Sequence, residues 1–288
     1  MDFQEEYENR DIKRVAKRVI NNQFVHASTT NKSEGPFYCP DTFEELIVRK
    51  CIEKTDHFAY KARLSPVGSK ESDLHKNCKD EILKILQEKL PDGKWAKERE
   101  DFKVDKSKGY KQVRPDLSGR LNGKGLIIEI QASTLSVNKI IERTEQYSKR
   151  GAYILWIVPL LEDLGKEDFR PRLFERFLHS MYYGRVYYWY EGDGLNLTPV
   201  HYGRSERYIV ENHWFEEDGT ERIEGGYFKP YLRVKKPIYT KKINLLTDFK
   251  IDDRDKFEVK NEKLLIPESK IYVDNLQSWW KKETTSSH

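Results

Sequence analysis

The residues best placed to do chemistry lie between Val113 and Gln131, a stretch at whose middle Asn122 and Gly123 stand side by side. Asn-Gly is the strongest short hairpin signal, because both turn positions require positive φ. With these two as the turn, Asp116 falls directly opposite Glu129. Side chains at opposed positions share a face, about 5 Å apart. Period-two alternation brings Gln131 to that face and turns Ile128 and Ile130 to the other. Two carboxylates so close repel each other, and a divalent cation with oxygen ligands resolves the conflict. Such a cation activates water and offsets charge developing on a phosphoryl oxygen. A solvent-facing pair, each carboxylate salt-bridged to a lysine or arginine, has the same sequence, and a longer turn through Gly125 would shift the register.

Two helices must flank this hairpin. Over Lys70–Leu90 the positions Leu74, Cys78, Ile82, Leu86 and Leu90 form an apolar stripe, ended by Pro91-Asp92-Gly93. Glu71, His75 and Lys79 recur at i, i+4 and i+8 beside that stripe, at the rim of the core, where an ordinary salt-bridge ladder would also place them. A second helix over about 136–150 carries Arg143 and Tyr147 one turn apart. Arginine suits bidentate phosphate recognition, though an ion pair with neighbouring Glu142 or Glu145 is the alternative. Gln131 and Ser133, on one strand face, are candidates to bind water or substrate oxygens.

Strands are expected at about 111–121 and 125–133, with an earlier one within 95–110. The apolar run Tyr153–Val158 reads as a buried central strand, followed by a helix at 171–181 and a strand at Val186–Tyr190. Before this core, residues 2–24 have apolar positions Val15, Val19, Ile20 and Phe24 at helical spacing, with Lys13, Arg14, Lys17 and Arg18 on another face. A linker at His26–Gly35 and strand-like residues 36–62 follow. From about 203 onward the pattern is of short strands mixing basic and aromatic residues, as in Lys229–Lys236. Such strands line nucleic-acid grooves, and lysine-protected edge strands look the same.

Composition sets outer limits. Charged residues make up 35% of the 288 and aromatics 12%, which excludes disorder. The net charge of +4 identifies a nucleic-acid binder only if charge is segregated on the surface. Residues 1–20 are charged throughout, with no signal segment, and the longest apolar run, Ala152–Leu161, is about half a membrane crossing. Three cysteines cannot all pair, so a reducing cytoplasm is expected. No glycine-rich phosphate loop indicates an ATP motor, and no serine-histidine-aspartate arrangement has a local signature.

Asp116 followed by Glu129-Ile130-Gln131 resembles the PD-(D/E)XK nuclease superfamily, with Glu-x-Gln in place of Glu-x-Lys. More narrowly, the chain resembles the competence protein CoiA-like nucleases. Glu71-Ser72 with His75 and Lys79, Arg114-Pro115-Asp116, Glu129-Ile130-Gln131-Ala132-Ser133, Arg143-Thr144 with Tyr147, and Ile154–Ile157 carry the likeness across roughly 36–200. It implies an α/β, restriction-endonuclease-like core, a mixed central sheet flanked by helices. That core spans 69–202, between an N-terminal helix and strand extension (1–68) and a β-rich appendage (203–288). It also implies phosphodiester hydrolysis of DNA, with magnesium or manganese held by Asp116, Glu129 and Glu71. Gln131 would orient water, His75 would shuttle a proton or touch phosphate, Lys79 would supply charge that Gln131 lacks, and Arg143, Ser133 and Tyr147 would meet the phosphate.

The chain departs from that pattern twice. The family's N-terminal zinc-type module needs two Cys and two His; Cys39, Cys51 and His57 are here, but Thr42 and Tyr60 replace two ligands, so structural zinc is not expected. Gln131 offers only a dipole where lysine offers a charge. Two other classes follow: a catalytically silent nucleic-acid-binding module, or a partner-dependent subunit of a DNA-processing or phage-defence complex. The second would dock through 2–24 and Trp279-Trp280 or assemble as a homo-oligomer.

Overall fold

The computed structural model describes residues 14–281 except 41–44, 52–54, 62–65, 67–72, 101, 132–135, 210, 216–219 and 260–263. The chain divides into two compact units, residues 1–63 and 64–288.

In the first unit five antiparallel strands lie in the order β2-β1-β3-β4-β5. They are β1 (Val15–Arg18), β2 (Phe24–His26), β3 (Phe37–Tyr38), β4 (Glu45–Arg49) and β5 (His57–Tyr60). Ala16, Ala27, Phe37, Cys39, Leu46, Val48 and Phe58 form its core. The helix expected over 2–24 is therefore corrected at its described end, where Val15 pairs with His26 and Ala16 with Val25 in a hairpin. Asn22 has a φ of 57°, a left-handed conformation that takes the chain round and stops any helix. The apolar spacing misled because Val15, Val19, Ile20 and Phe24 all face solvent, Ile20 at 86% exposure. Residues 2–13 lie outside the described residues.

The second unit opens with α1 (Asp73–Lys89), β6 (Ala96–Lys97), β7 (Leu117–Leu121), β8 (Lys124–Ile130), α2 (Val137–Lys149), β9 (Tyr153–Pro159), α3 (Leu173–Met181) and β10 (Val186–Trp189). Two long strands follow, β11 (Asn196–Ile209) and β14 (Tyr227–Tyr239), bracketing the outer hairpin of β12 (Asn212–Phe215) and β13 (Glu221–Glu224). The chain continues through β15 (Ile243–Asn244), β16 (Phe249–Arg254), β17 (Phe257–Val259), β18 (Leu264–Ile266) and β19 (Ser269–Asp274).

The central sheet runs β14-β11-β10-β9-β8-β7-β6. Strands β8, β9 and β10 are parallel, joined through α2 and α3, and the others on this path are antiparallel to their neighbours. Right-handed crossovers put α2 and α3 on one face. Helix α1 lays Leu74, Cys78, Ile82 and Leu86 into the same core. This mixed sheet flanked by helices is the restriction-endonuclease-like architecture.

The C-terminal strands differ from the short ones expected. β11 has 14 residues and runs through residue 202, and β14 has 13. Strand β9 shares one edge between two partners, with Val158 and Pro159 beside β10 and Ile154 beside Ile271 of β19. A buried ion pair, Arg185 Nη1 to Asp274 Oδ1 at 2.6 Å, fastens β19 next to β10. Trp279 and Trp280 fold back on the same unit: Trp280 stacks on His201 at 4.0 Å, and Arg185 lies over both indole rings.

Candidate functional site

The Asn122-Gly123 turn forms as its residue types require, with φ values of 49° and 76°. Leu117 pairs with Ile128 and Leu121 with Lys124, so the register is the one that sets Asp116, just before β7, opposite Glu129. Gly119 faces Trp95 so closely that an added Cβ would come within 2.3 Å of the indole. The ring thus packs flat against the hairpin and fixes it from behind.

Glu129 is 0% exposed. Its Oε1 accepts from Arg143 Nη2 and from the Tyr147 hydroxyl, both at 2.6 Å. Its Oε2 is buried without a hydrogen-bond partner among the described residues. Burial pushes this carboxyl well above the usual range, Arg143 opposes the shift, and Asp116 adds to it. Asp116 Oδ2 accepts from the Ile130 amide at 2.9 Å, and Oδ1 lies 3.5 Å from His75 Nε2. Burial raises the Asp116 carboxyl too, but His75, the Ile130 amide and Arg143 outweigh it, and the group sits below its ordinary value. Neighbouring carboxyls with pKa values driven apart are a recurrent feature of sites that handle protons or cations.

The i, i+4 spacing on α1 delivers His75 to Asp116 and buries Lys79, whose Nζ is 2.5 Å from Glu98 Oε1. Glu98 Oε2 in turn pairs with Arg114 at 2.8 Å. Glu98 has a φ of 52° and gives its amide proton to the Asp116 carbonyl at 3.1 Å, so its backbone is bound to the hairpin as well. This residue was not singled out in the sequence. The only signal for it is indirect: a lysine bordering the core stripe of α1 requires an acidic partner. Gln131 is buried, its backbone N–H donating to the Ile157 carbonyl at 2.8 Å.

Arg143 and Tyr147 share a face of α2 as expected, but they meet Glu129, not Glu142 or Glu145; Glu142 pairs with Lys111 instead. Arg143 also donates to the Arg114 carbonyl at 2.5 Å. The structure thus brings together Asp116, Glu129, His75, Arg143 and Tyr147, with Lys79 joined to the group through Glu98 and Arg114. Glu71 and Ser133 lie outside the described residues. Among the described residues, no group of three or more His, Cys, Asp and Glu stands as a metal site. In the first unit, Cys51 Sγ lies 3.8 Å from His57 Nδ1, while Cys39 is buried in that unit's core.

No helix among the described residues is long and apolar enough to cross a membrane. No curated protein matches the chain. Residues 71–194, the stretch that holds both carboxylates and every described residue around them, match the family described as competence protein CoiA, nuclease-like domain.

Proposed function

We propose that the protein is a metal-dependent nuclease that hydrolyses phosphodiester bonds, with DNA as its substrate and endonucleolytic cutting as its mode. The observation that carries this reading is the opposed pair Asp116 and Glu129, one of whose buried oxygens, Glu129 Oε2, has no donor among the described residues. A buried carboxylate oxygen without a donor costs free energy that a cation would relieve. The donor set is all oxygen, which suits magnesium or manganese. Asp116 and Glu129 would hold the ion, with Glu71 as the proposed third ligand. Bound there, the cation supplies Lewis acidity toward a phosphoryl oxygen.

The chain's own residues do the rest. Gln131 orients the attacking water through its amide, and His75 holds or releases a proton at Nε2, beside Asp116 Oδ1. Lys79 and Arg114, held by Glu98, supply the positive charge that Gln131 does not. Arg143 and Tyr147 keep the Glu129 carboxylate aimed; release of Arg143 from Glu129 would free its guanidinium for phosphate.

A second reading draws on one observation, that Arg143 already neutralises Glu129. In it the site has lost its cation, and the domain holds nucleic acid without cutting it. The deciding experiment is cleavage of supercoiled plasmid and labelled single strands in Mg²⁺, Mn²⁺ or EDTA, comparing wild type with Asp116→Asn and Glu129→Gln. Metal-dependent cutting lost in both variants supports the nuclease. Binding indifferent to metal and to Asp116→Asn, with no cutting in any metal, supports the silent module.

A further inference from the structure

Strands β11 and β14 continue beyond the central sheet as a two-stranded arm. Val200 is the last β11 residue paired with β10, whereas the pairing of β11 with β14 runs on to Ile209 and Tyr227. Residues 203–209 and 227–236 hold six basic side chains and one acidic, a local charge of +5 in a chain whose total is +4. The segment between them, residues 210–226, holds six acidic side chains and one basic, so charge along the arm is divided, positive on the stem strands and negative on the stretch they bracket.

The stem also exposes rings. Tyr208 and Phe228 face each other across the ladder, their centroids 5.2 Å apart, and Phe228 is 67% exposed. Tyr227 and Leu232 are exposed beside them. A β14 edge built only to repel other strands needs lysines and prolines, and would not carry exposed aromatics. Between Arg204 and Glu206 the ladder bulges, with residues 231–234 of β14 set against Ser205. The bulge turns Leu232 and Arg233 outward together. Arg204 lies on the strand face of Tyr208, four residues away, or about 13 Å. Glu206 stands between Arg204 and Tyr208, and a cation and flat rings on one face are how a protein holds phosphates and unstacked bases at once.

We infer that the arm formed by β11 and β14 binds single-stranded nucleic acid, with Tyr208 and Phe228 stacking on bases and Arg204 and Arg233 meeting phosphates. The register puts Glu129 level with Val200, so Tyr208 lies roughly 30 Å from the carboxylates, toward the other end of the sheet. The inference deepens the nuclease reading by naming the form of substrate held, yet stands on a surface separate from Asp116 and Glu129.

The test is fluorescence anisotropy of the full chain in EDTA with labelled oligo-dT, oligo-U and a DNA hairpin duplex. Tyr208→Ala with Phe228→Ala should raise Kd for single strands roughly tenfold. Arg204→Gln and Arg233→Gln together should lower the slope of log K against log salt by about 1.4. Matching Tm values for wild type and variants show that the exposed substitutions leave the fold intact. The relative affinities of oligo-dT and oligo-U assign the strand to DNA or RNA. Single-strand binding unchanged in both variants, no binding to any probe, or duplex bound as tightly as single strand overturns the inference. A chain that cuts plasmid in Mg²⁺ but shows no arm-dependent binding keeps the nuclease reading and loses this one. Arm-dependent binding without cutting in any metal does the reverse.

Discussion

Replacing Arg143 by Met should expose how the protein holds a carboxylate in its core. Glu129 is wholly buried and has two donors, Arg143 and Tyr147, both on one oxygen. The substitution removes the only formal charge bonded to Glu129 among the described residues and leaves a neutral hydroxyl. Breaking a buried ion pair on one side costs about 3–5 kcal/mol. At about 2–4 °C per kcal/mol for a unit of this size, Tm should fall by roughly 6–20 °C. Part of that loss is independent of pH, because Arg143 also donates to the Arg114 carbonyl and lies 6.0 Å from the Trp156 ring centroid. The remainder is electrostatic and has a definite sign. Burial raises the folded-state pKa of Glu129 above its unfolded value near 4.5, so between the two the folded chain holds more protons and stability falls as pH rises. Without Arg143 the folded pKa rises further, so the loss should be largest at pH 8 and shrink toward pH 5. Glu129→Gln in the Arg143→Met background should recover most of the difference at pH 8, with a coupling of about 2–3 kcal/mol. The assay is thermal unfolding by circular dichroism at both pH values for the four members of the cycle. A loss under about 1 kcal/mol, equal at pH 5 and 8 and indifferent to Glu129→Gln, would refute this electrostatic account.

Saturating Mg²⁺ or Mn²⁺ should raise the Tm of wild type at pH 8 and leave Glu129→Gln unmoved, since an ion bound only by the folded chain stabilises it; equal shifts in both would point to binding elsewhere. Gly119→Ala should cost about 1–3 kcal/mol in a urea titration, because its Cβ would come within 2.3 Å of the Trp95 ring, and an unchanged midpoint would mean the ring moves aside. His201 is held neutral by burial, its pKa pushed down to about 4. Between its ordinary 6.5 and that value the unfolded chain binds the extra proton, so stability present above pH 6.5 is lost as pH falls toward 4. His201→Gln should flatten that acid slope in chemical denaturation at pH 7 and pH 5, and an unaltered slope would assign the acid loss to other groups.

What could be read in advance was whatever local chemistry dictates. The Asn122-Gly123 pair allows one kind of turn, and that turn alone sets which residues oppose Asp116. The stripe of α1 and the apolar run of β9 follow from periodicity over a few turns or one strand. The helix read over 2–24 shows the limit, for four apolar residues at helical spacing belong to a hairpin whose small buried residue is Ala16. Partners distant in sequence left at most an indirect trace. Arg143 has acidic neighbours on its own helix but bonds to Glu129 on β8, and Lys79 finds Glu98 in a stretch with no clear periodicity. The length of β11 and β14 was equally hidden, because their prolines and the bulge at Arg204 break the alternation that marks a long strand.

The place of β19 has a consequence for how the protein comes off the ribosome. Ile154 has its β19 neighbour only when Ile271 arrives, and Arg185 sits with its charge in the core until Asp274 is made. At roughly 5–20 residues per second, the interval between synthesis of residue 194 and residue 271 is about 4–15 s. For those seconds the nascent chain presents part of a hydrophobic strand edge and a lone buried-to-be cation, the features that invite wrong pairing. A fragment cut at residue 194, the end of the family-matched stretch, would carry that state permanently, because β19 lies beyond it.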